Sequence, residues 1–302
     1  MSRRSPRIPE DDEISFISMQ ELAPTPIEDD DDDYLNLTLP HIQPVEKRAT
    51  HHSASIGPYN NPSPRSLAFW LARTQKYSSY AFTSFLGIHA ATASLTPLIF
   101  GLDSGNSSLL LARTYYYQSH PYVELLLIPG SLLLHIGSGL GLRAYRHYQQ
   151  RQRYGGRPPA ILSQWRWQNF SGASLAGWTM LPFVAAHTGL LRVVPLLVDG
   201  GSHEVTLEYL GHGFSLGPWG WWVGSGFYTV MVGLVSYHVV SGWAKYLGAS
   251  QKRRQITAAT ATAVAGAWLS GLFVVVARSG PVRGYMGRHY DRLYNVFFLG
   301  TV

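Results

Sequence analysis

His89, His135, His187 and His238 are the residues of this sequence best placed to do chemistry. Each sits well inside a long uncharged run, and their separations are 46, 52 and 51 residues. That spacing is expected of one position repeated on successive antiparallel helices. Two of the contexts share a pattern, His135-Ile-Gly-Ser-Gly139 and His238-Val-Val-Ser-Gly242, both H-x-x-S-G. The other two match loosely, with Gly87-Ile88 before His89 and Ala185-Ala186 before His187. The pattern reads as a duplicated two-helix unit followed by a fifth helix.

Imidazole in an apolar medium costs free energy unless it finds a partner. A haem iron is such a partner and takes one His from each of two facing helices. Gly139 and Gly242, one turn beyond their histidines, would leave space for a flat macrocycle, and Arg143 and Lys245 could meet its propionates. The alternative is that each His hydrogen-bonds a neighbouring helix and only fixes packing. Zinc fits less well, because helical histidines usually need a carboxylate or an i, i+4 pair to complete its tetrahedron. Spans one and three run in the same direction, as do two and four. The expected pairs are therefore His89 with His187 and His135 with His238. Counted from the tail-side edge, the second pair should lie only a few residues shallower than the first.

The elements that carry these histidines are five segments: Tyr77–Leu102, Leu125–Leu142, Ser171–Leu191, Gly217–Ala244 and Ile256–Ala277. Each passes the length test of roughly 20 apolar residues for crossing about 30 Å of hydrocarbon, Leu125–Leu142 only with snorkelling ends. None contains an acid, so carboxylate proton relays are not expected. Only 14% of the chain is charged, against about a quarter in soluble domains. The fold class is therefore all-α: a polytopic membrane protein with five transmembrane helices in a bundle. Pro97, Pro129 and Pro182 lie within the spans and are tolerated there. Gly137 with Gly141, and Ala267 with Gly271, supply small packing faces.

Charge divides the chain. Residues 1–50 hold 12 of the 18 acids and 5 of the 24 Lys and Arg, a net of −7, so the remainder carries +13. Residues 1–66 read as a disordered tail, 67–280 as the transmembrane domain, and 281–302 as a C-terminal amphipathic or interfacial segment. No apolar run follows Arg3, Arg4 and Arg7, so insertion is expected through internal segments and not a signal peptide. Arg143, Arg146, Arg151, Arg153, Arg157 and Arg166 follow the second span, and Lys245, Lys252, Arg253 and Arg254 follow the fourth. These loops place the N-terminal tail in the cytosol. The chain has no cysteine, which removes disulfides, thiolate metal sites and a Cys nucleophile. No H-E-x-x-H or G-x-S-x-G occurs, and no enzyme activity is expected.

The tail holds one apolar island, Leu22-Ala-Pro24-Thr-Pro26-Ile27, preceded by Ile14, Phe16, Ile17 and Met19. Pro24 and Pro26 keep it extended, a form suited to a groove or a sheet edge on a partner. Pro62-Ser-Pro64 has the same spacing without the apolar flank.

With this tail, five spans and H-x-x-S-G contexts, the chain resembles the fungal mitochondrial outer-membrane family of Mdm-complementing proteins, multicopy suppressors of lost ER–mitochondria tethering. The resemblance implies a multi-pass outer-membrane location with a cytosolic N-terminus. It implies an adaptor that recruits a bridge-like lipid-transfer protein of the VPS-thirteen class and supports lipid homeostasis, with Leu22, Pro24, Pro26 and Ile27 as the matching segment. The membrane domain also resembles the five-helix dihaem cytochrome b anchor of fumarate reductase, whose first four helices each supply a haem ligand. That likeness implies haem b on His89, His135, His187 and His238, and a membrane cytochrome as the alternative function.

Overall fold

The computed structural model describes residues 64–154, 170–248 and 254–300. Residues 1–63, with the Leu22–Ile27 segment, lie outside them, as do the basic stretches 155–169 and 249–253, while residues 64–66, read as the end of the tail, begin the first helix. Five helical segments are long and apolar enough to cross a membrane: Leu67–Phe100, Pro121–Gln149, Gly172–Asp199, Gly220–Tyr246 and Gln255–Ser279. The chain is a multi-span, all-helical membrane protein; among the described residues there is no strand.

The first and third spans are built alike. In the first, α1 (Pro64–Ala90) passes through a π-helical turn, Ala91–Leu95, into α2 (Thr96–Phe100). With α3, α4 and α5 falling between, the third begins as α6 (Gly172–Thr188) and passes through a π turn, Gly189–Val193, into α7 (Val194–Asp199). In each, a proline occupies the second position after the π turn, Pro97 and Pro195, and both are fully buried. Proline has no N–H to donate and crowds the preceding turn, and the wider π turn absorbs that misfit without breaking the span. Each span then stops at a glycine with positive φ, Gly101 at 91° and Gly200 at 75°, where a side chain would be strained.

After the first span, α3 (Leu102–Ala112) and a π turn, Arg113–Tyr117, lead to the second span. That span comprises α4 (Pro121–Leu125), a π turn at Leu126–Gly130 containing Pro129, and α5 (Ser131–Tyr154). α8 (Leu207–Phe214) joins the third span to the unbroken fourth, α9 (Gly220–Tyr246). The fifth is α10 (Arg254–Ser279), and α11 (Gly284–Leu299) ends the described chain.

Packing makes two antiparallel hairpins. α5 lies along α1, and α9 lies along α6, but the helices of one hairpin approach those of the other only sparsely. α10 packs on α9 and on the π turn of the first span. There Gly271 sits against the backbone of Ser94, whose hydroxyl donates to the Trp268 carbonyl at 2.8 Å. The small-residue face Ala267/Gly271 thus does what close helix approach requires.

α11 turns one face onto α7 and α8. Tyr290, Leu293 and Tyr294 are buried there with Tyr209 and Val194. The Tyr294 hydroxyl donates to the Tyr209 carbonyl and Tyr290 to the Glu204 carbonyl, each at 3.2 Å. His212 lies 3.0 Å from Asp291, and His289 lies 3.2 Å from Asp199. Burial pushes the phenols of Tyr209, Tyr290 and Tyr294 above the ordinary tyrosine range.

Candidate functional site

The structure brings the four histidines together in the two expected pairs. The His89 and His187 rings have centres 6.0 Å apart at an interplanar angle of 73°. The His135 and His238 rings are also 6.0 Å apart, at 88°. Each pair joins one hairpin to the other, α1 to α6 and α5 to α9, across the space where the helices themselves stay apart.

Depth departs from expectation. The Nδ1 of His135 lies 3.1 Å from the Gln75 carbonyl, and that of His238 lies 2.8 Å from the Ala173 carbonyl. Gln75 is fourteen residues before His89 on α1, and Ala173 is fourteen residues before His187 on α6. At 1.5 Å per residue, the pairs are about 21 Å apart along the helices. The expected offset of a few residues is therefore corrected. Its cause lies at the start of the first span: Arg73 and Lys76 end the uncharged run at Tyr77 but not the helix, for α1 begins at Pro64 and its apolar span at Leu67. Gly139 faces Gln75 and Gly141 faces Leu71, so this stretch of α5 lies beside the beginning of α1. The same repeat, one carbonyl fourteen residues before one His, fixes the geometry in both hairpins.

Those carbonyls settle the chemistry of two rings. A carbonyl oxygen only accepts, so Nδ1 of His135 and of His238 must carry a proton, which in the neutral ring leaves Nε2 with a bare lone pair. Ligating histidines are held in this way, with the second ring nitrogen donating to a carbonyl or carboxylate. His187 differs. Its Nδ1 lies 3.2 Å from the Tyr228 hydroxyl, which can donate or accept. His89 stacks on Phe85 with ring centres 5.5 Å apart, and has no hydrogen bond among the described residues.

The pair spacing fits a shared metal. An imidazole nitrogen binds a first-row metal at about 2.0 Å and lies about 1.1 Å from its ring centre, so two imidazoles on opposite sides of one ion have centres about 6 Å apart. No hydrogen bond joins the rings of either pair among the described residues. No three His, Cys, Asp or Glu converge there on one point, which is what zinc would need. Two imidazoles per site, each pair bridging apolar helices of two hairpins, are residues that could hold a b-type haem.

Of the basic residues expected near the histidines, Arg143 donates from Nη2 to the Ser174 hydroxyl at 3.1 Å and lies over the Phe170 ring. It therefore ties α5 to the start of α6 near the His135/His238 pair. At the opposite end a polar network closes the bundle. Arg192 forms a two-pronged ion pair with Glu124, both contacts at 2.6 Å, and donates to the Ser202 hydroxyl at 2.9 Å. Arg113 donates to the carbonyls of Ser202 and Val205 at 3.0 and 2.6 Å. Tyr117 is buried beside Arg113 and packs edge-on against Phe85; burial pushes its phenol up and Arg113 pulls it back. Glu124 and Asp199 thus lie inside the ends of the second and third spans, where no acid was expected.

Reading the sequence for histidine alone misses Tyr228, the carbonyl partners and the buried prolines. The prolines had a signal: Pro97 follows His89 by eight residues, and Pro195 follows His187 by eight.

Residues 182–281 match the profile of the family described as MDM10-complementing protein 1, transmembrane domain. The matched stretch takes in His187, His238, and the fourth and fifth spans. This match supports a membrane protein of the Mdm-complementing kind. No curated protein and no solved structure matched the chain.

Proposed function

We infer that this chain is a mitochondrial outer-membrane cytochrome of the Mdm-complementing kind, holding one b haem between His135 and His238 and a second between His89 and His187. The observation that carries the reading is the pair of imidazoles, His135 and His238, whose Nδ1 protons are fixed by carbonyls while Nε2 stays bare within the gap between the hairpins. A packing role alone does not call for two His pairs at equal spacing, each pair bridging the same two hairpins. When bound, haem supplies one-electron oxidation and reduction. The chain's own residues would supply the imidazole nitrogens that hold it, at two sites about 21 Å apart in depth. Such a layout suits electron passage between the two faces of the membrane and no substrate turnover. It also favours the likeness to a dihaem anchor. Purified protein made with ample haem should show a bis-histidine b-type spectrum in oxidised and reduced states. His135→Ala and His238→Ala should each remove part of it. A colourless protein under those conditions sinks the reading and leaves the histidines as packing residues.

A second reading concerns the tail and rests on the family resemblance, the profile match itself lying in residues 182–281. Leu22, Pro24, Pro26 and Ile27 recruit a bridge-like lipid-transfer protein of the VPS-thirteen class, while the bundle anchors the tail in the outer membrane with its N-terminus in the cytosol. An extended apolar segment in an acidic tail suits strand addition to a partner sheet, with affinity of roughly micromolar order. Pro24→Ala with Pro26→Ala should release the partner from mitochondria and leave insertion intact, whereas the same changes at Pro62 and Pro64 should do little. Partner localisation unchanged by the first double variant rejects the segment. Protease added to intact organelles should remove the tail, and its protection rejects the orientation.

A further inference from the structure

The two His pairs share a spacing but not a set of partners. His135 and His238 both give Nδ1 to main-chain carbonyls, at 3.1 and 2.8 Å. A carbonyl cannot donate, so these rings hold the ligating tautomer whether or not anything is bound. In the other pair, His187 meets the Tyr228 hydroxyl at 3.2 Å. A phenol serves either tautomer: it donates to a bare Nδ1 or accepts from a protonated one. Besides the edge contact with His187, His89 has the stacking contact with Phe85 and no hydrogen bond among the described residues. Nothing fixes its tautomer, and its ring is oriented by packing alone.

We propose that the two sites are unequal in kind: His135/His238 is a preorganised site that holds haem as a resident, and His89/His187 is an exchangeable site whose occupancy is controlled through Tyr228. The proposal rests on the two-haem reading above. Binding at a prefixed site costs no reordering of rings or protons. Binding at His89/His187 requires the His187 proton to settle on Nδ1, the Tyr228 hydroxyl to turn and accept it, and the His89 ring to adopt one orientation. Tyr228 is therefore a positioning residue. It is buried against Phe214 and Met231, so its hydroxyl has no water to fall back on. Replacing it by Phe would keep the ring's packing but leave a buried imidazole N–H without an acceptor whenever Nε2 is engaged. The asymmetry gives the protein one site for retaining haem and one, toward the face opposite the tail, for taking it up and releasing it.

Haem-free, full-length protein in lipid nanodiscs would be titrated with ferric protoporphyrin IX and followed by its Soret absorbance. Two steps are expected, the first at least about tenfold tighter than the second, in line with the effect of outer partners on metal affinity. His238→Leu should abolish the tight step and His187→Leu the weak one. Tyr228→Phe should weaken the second step by about tenfold and leave the first unchanged. Excess apomyoglobin should strip the second equivalent first. In the haem-free protein, ring nitrogen NMR should find His135 and His238 wholly in the Nδ1–H form and His187 in both forms. This measurement does not depend on the variants folding. Two equal steps, a tight step that survives His238→Leu, an unmoved second step in Tyr228→Phe, or a single tautomer for His187 overturns the proposal. Absence of bis-histidine absorbance at every haem level overturns the two-haem reading itself, while the nitrogen spectra still report on the tautomers.

Discussion

The two hairpins, residues 64–154 and 172–246, agree where they hold histidine and disagree where they close the bundle. Both place a His fourteen residues after the carbonyl that receives the partner helix's imidazole, and both follow it with a π turn and a buried proline. Five residues after that His, the first hairpin has Ser94 and the second has Arg192. Ser94 is small and lets Gly271 of α10 approach its backbone. Arg192 is long and reaches Glu124 on the other hairpin. The difference has a physical reason. α10 packs on the π turn of the first span, where only a small residue allows its approach, whereas the matching turn of the third span packs on α11, and Arg192 there reaches across to Glu124.

Breaking the shared part should have the largest effect. In the second hairpin, a Cβ on Gly177 would fall 2.8 Å from the His238 ring, closer than side-chain carbons approach. Gly177→Val should expel that imidazole and remove about half of the bis-histidine absorbance, namely the share of one site in two. The first hairpin's contact is softer, because a Cβ on Gly139 meets the end of the flexible Gln75 side chain. Gly139→Val should retain most of the absorbance, and equal losses in the two variants would refute this ranking.

The divergent part tests stability instead. Arg192→Met removes the charged partner of Glu124, leaving it only the Gln118 amide at 3.3 Å in a largely buried position, and should cost about 3 kcal/mol. Ser94→Leu forces α10 away from the first span and should cost about 2 kcal/mol. Both are read as shifts of thermal unfolding in detergent, with Glu124→Gln/Arg192→Met expected to recover part of the first loss. No recovery in the double variant would mean that the pair does not act as a clasp.

α11 gives a smaller test at the end where the hairpins differ most. A Cβ on Gly213 would overlap the Tyr294 hydroxyl, so Gly213→Ala should loosen α11 at a cost of about 1–2 kcal/mol. The smallest effect expected is a pH dependence. The buried phenols of Tyr209, Tyr290 and Tyr294 ionise above the ordinary range. Their contribution is complete below the unfolded-state value of about 10 and declines as pH rises above it. Limited proteolysis should therefore cut the C-terminal segment faster at pH 11 than at pH 8. Equal rates would show that the phenols are not held by the fold.

Much of this arrangement is legible in residue types. Uncharged runs give the five spans, and four histidines at near-equal separation give the pairs, because helices that alternate in direction must bring first to third and second to fourth. The depth of the pairs was not legible. Arg73 and Lys76 end an apolar run, yet Arg73 lies over the Phe69 ring and Lys76 over the Tyr80 ring, and the span continues past both to Leu67. Hydropathy reads the charge and misses the partner. Glu124 escaped for the same reason, since Arg192 lies sixty-eight residues away in sequence. The π turns were hidden, but the eight-residue His-to-Pro spacing in both hairpins marks the places where they were needed.

The sequence by itself determined that the chain crosses a membrane, that it does so through helices, and that its two hairpins repeat one pattern. These follow from local composition and period, because a backbone in hydrocarbon must satisfy its own hydrogen bonds. Only the tertiary structure decided which oxygen each imidazole meets. The Gln75 and Ala173 carbonyls and the Tyr228 hydroxyl are all oxygen atoms within reach of an Nδ1. Whether such an atom can donate as well as accept depends on which group the helix register delivers. That register is set by packing between distant segments, so the likeness of the two pairs was written in the sequence and their difference was not.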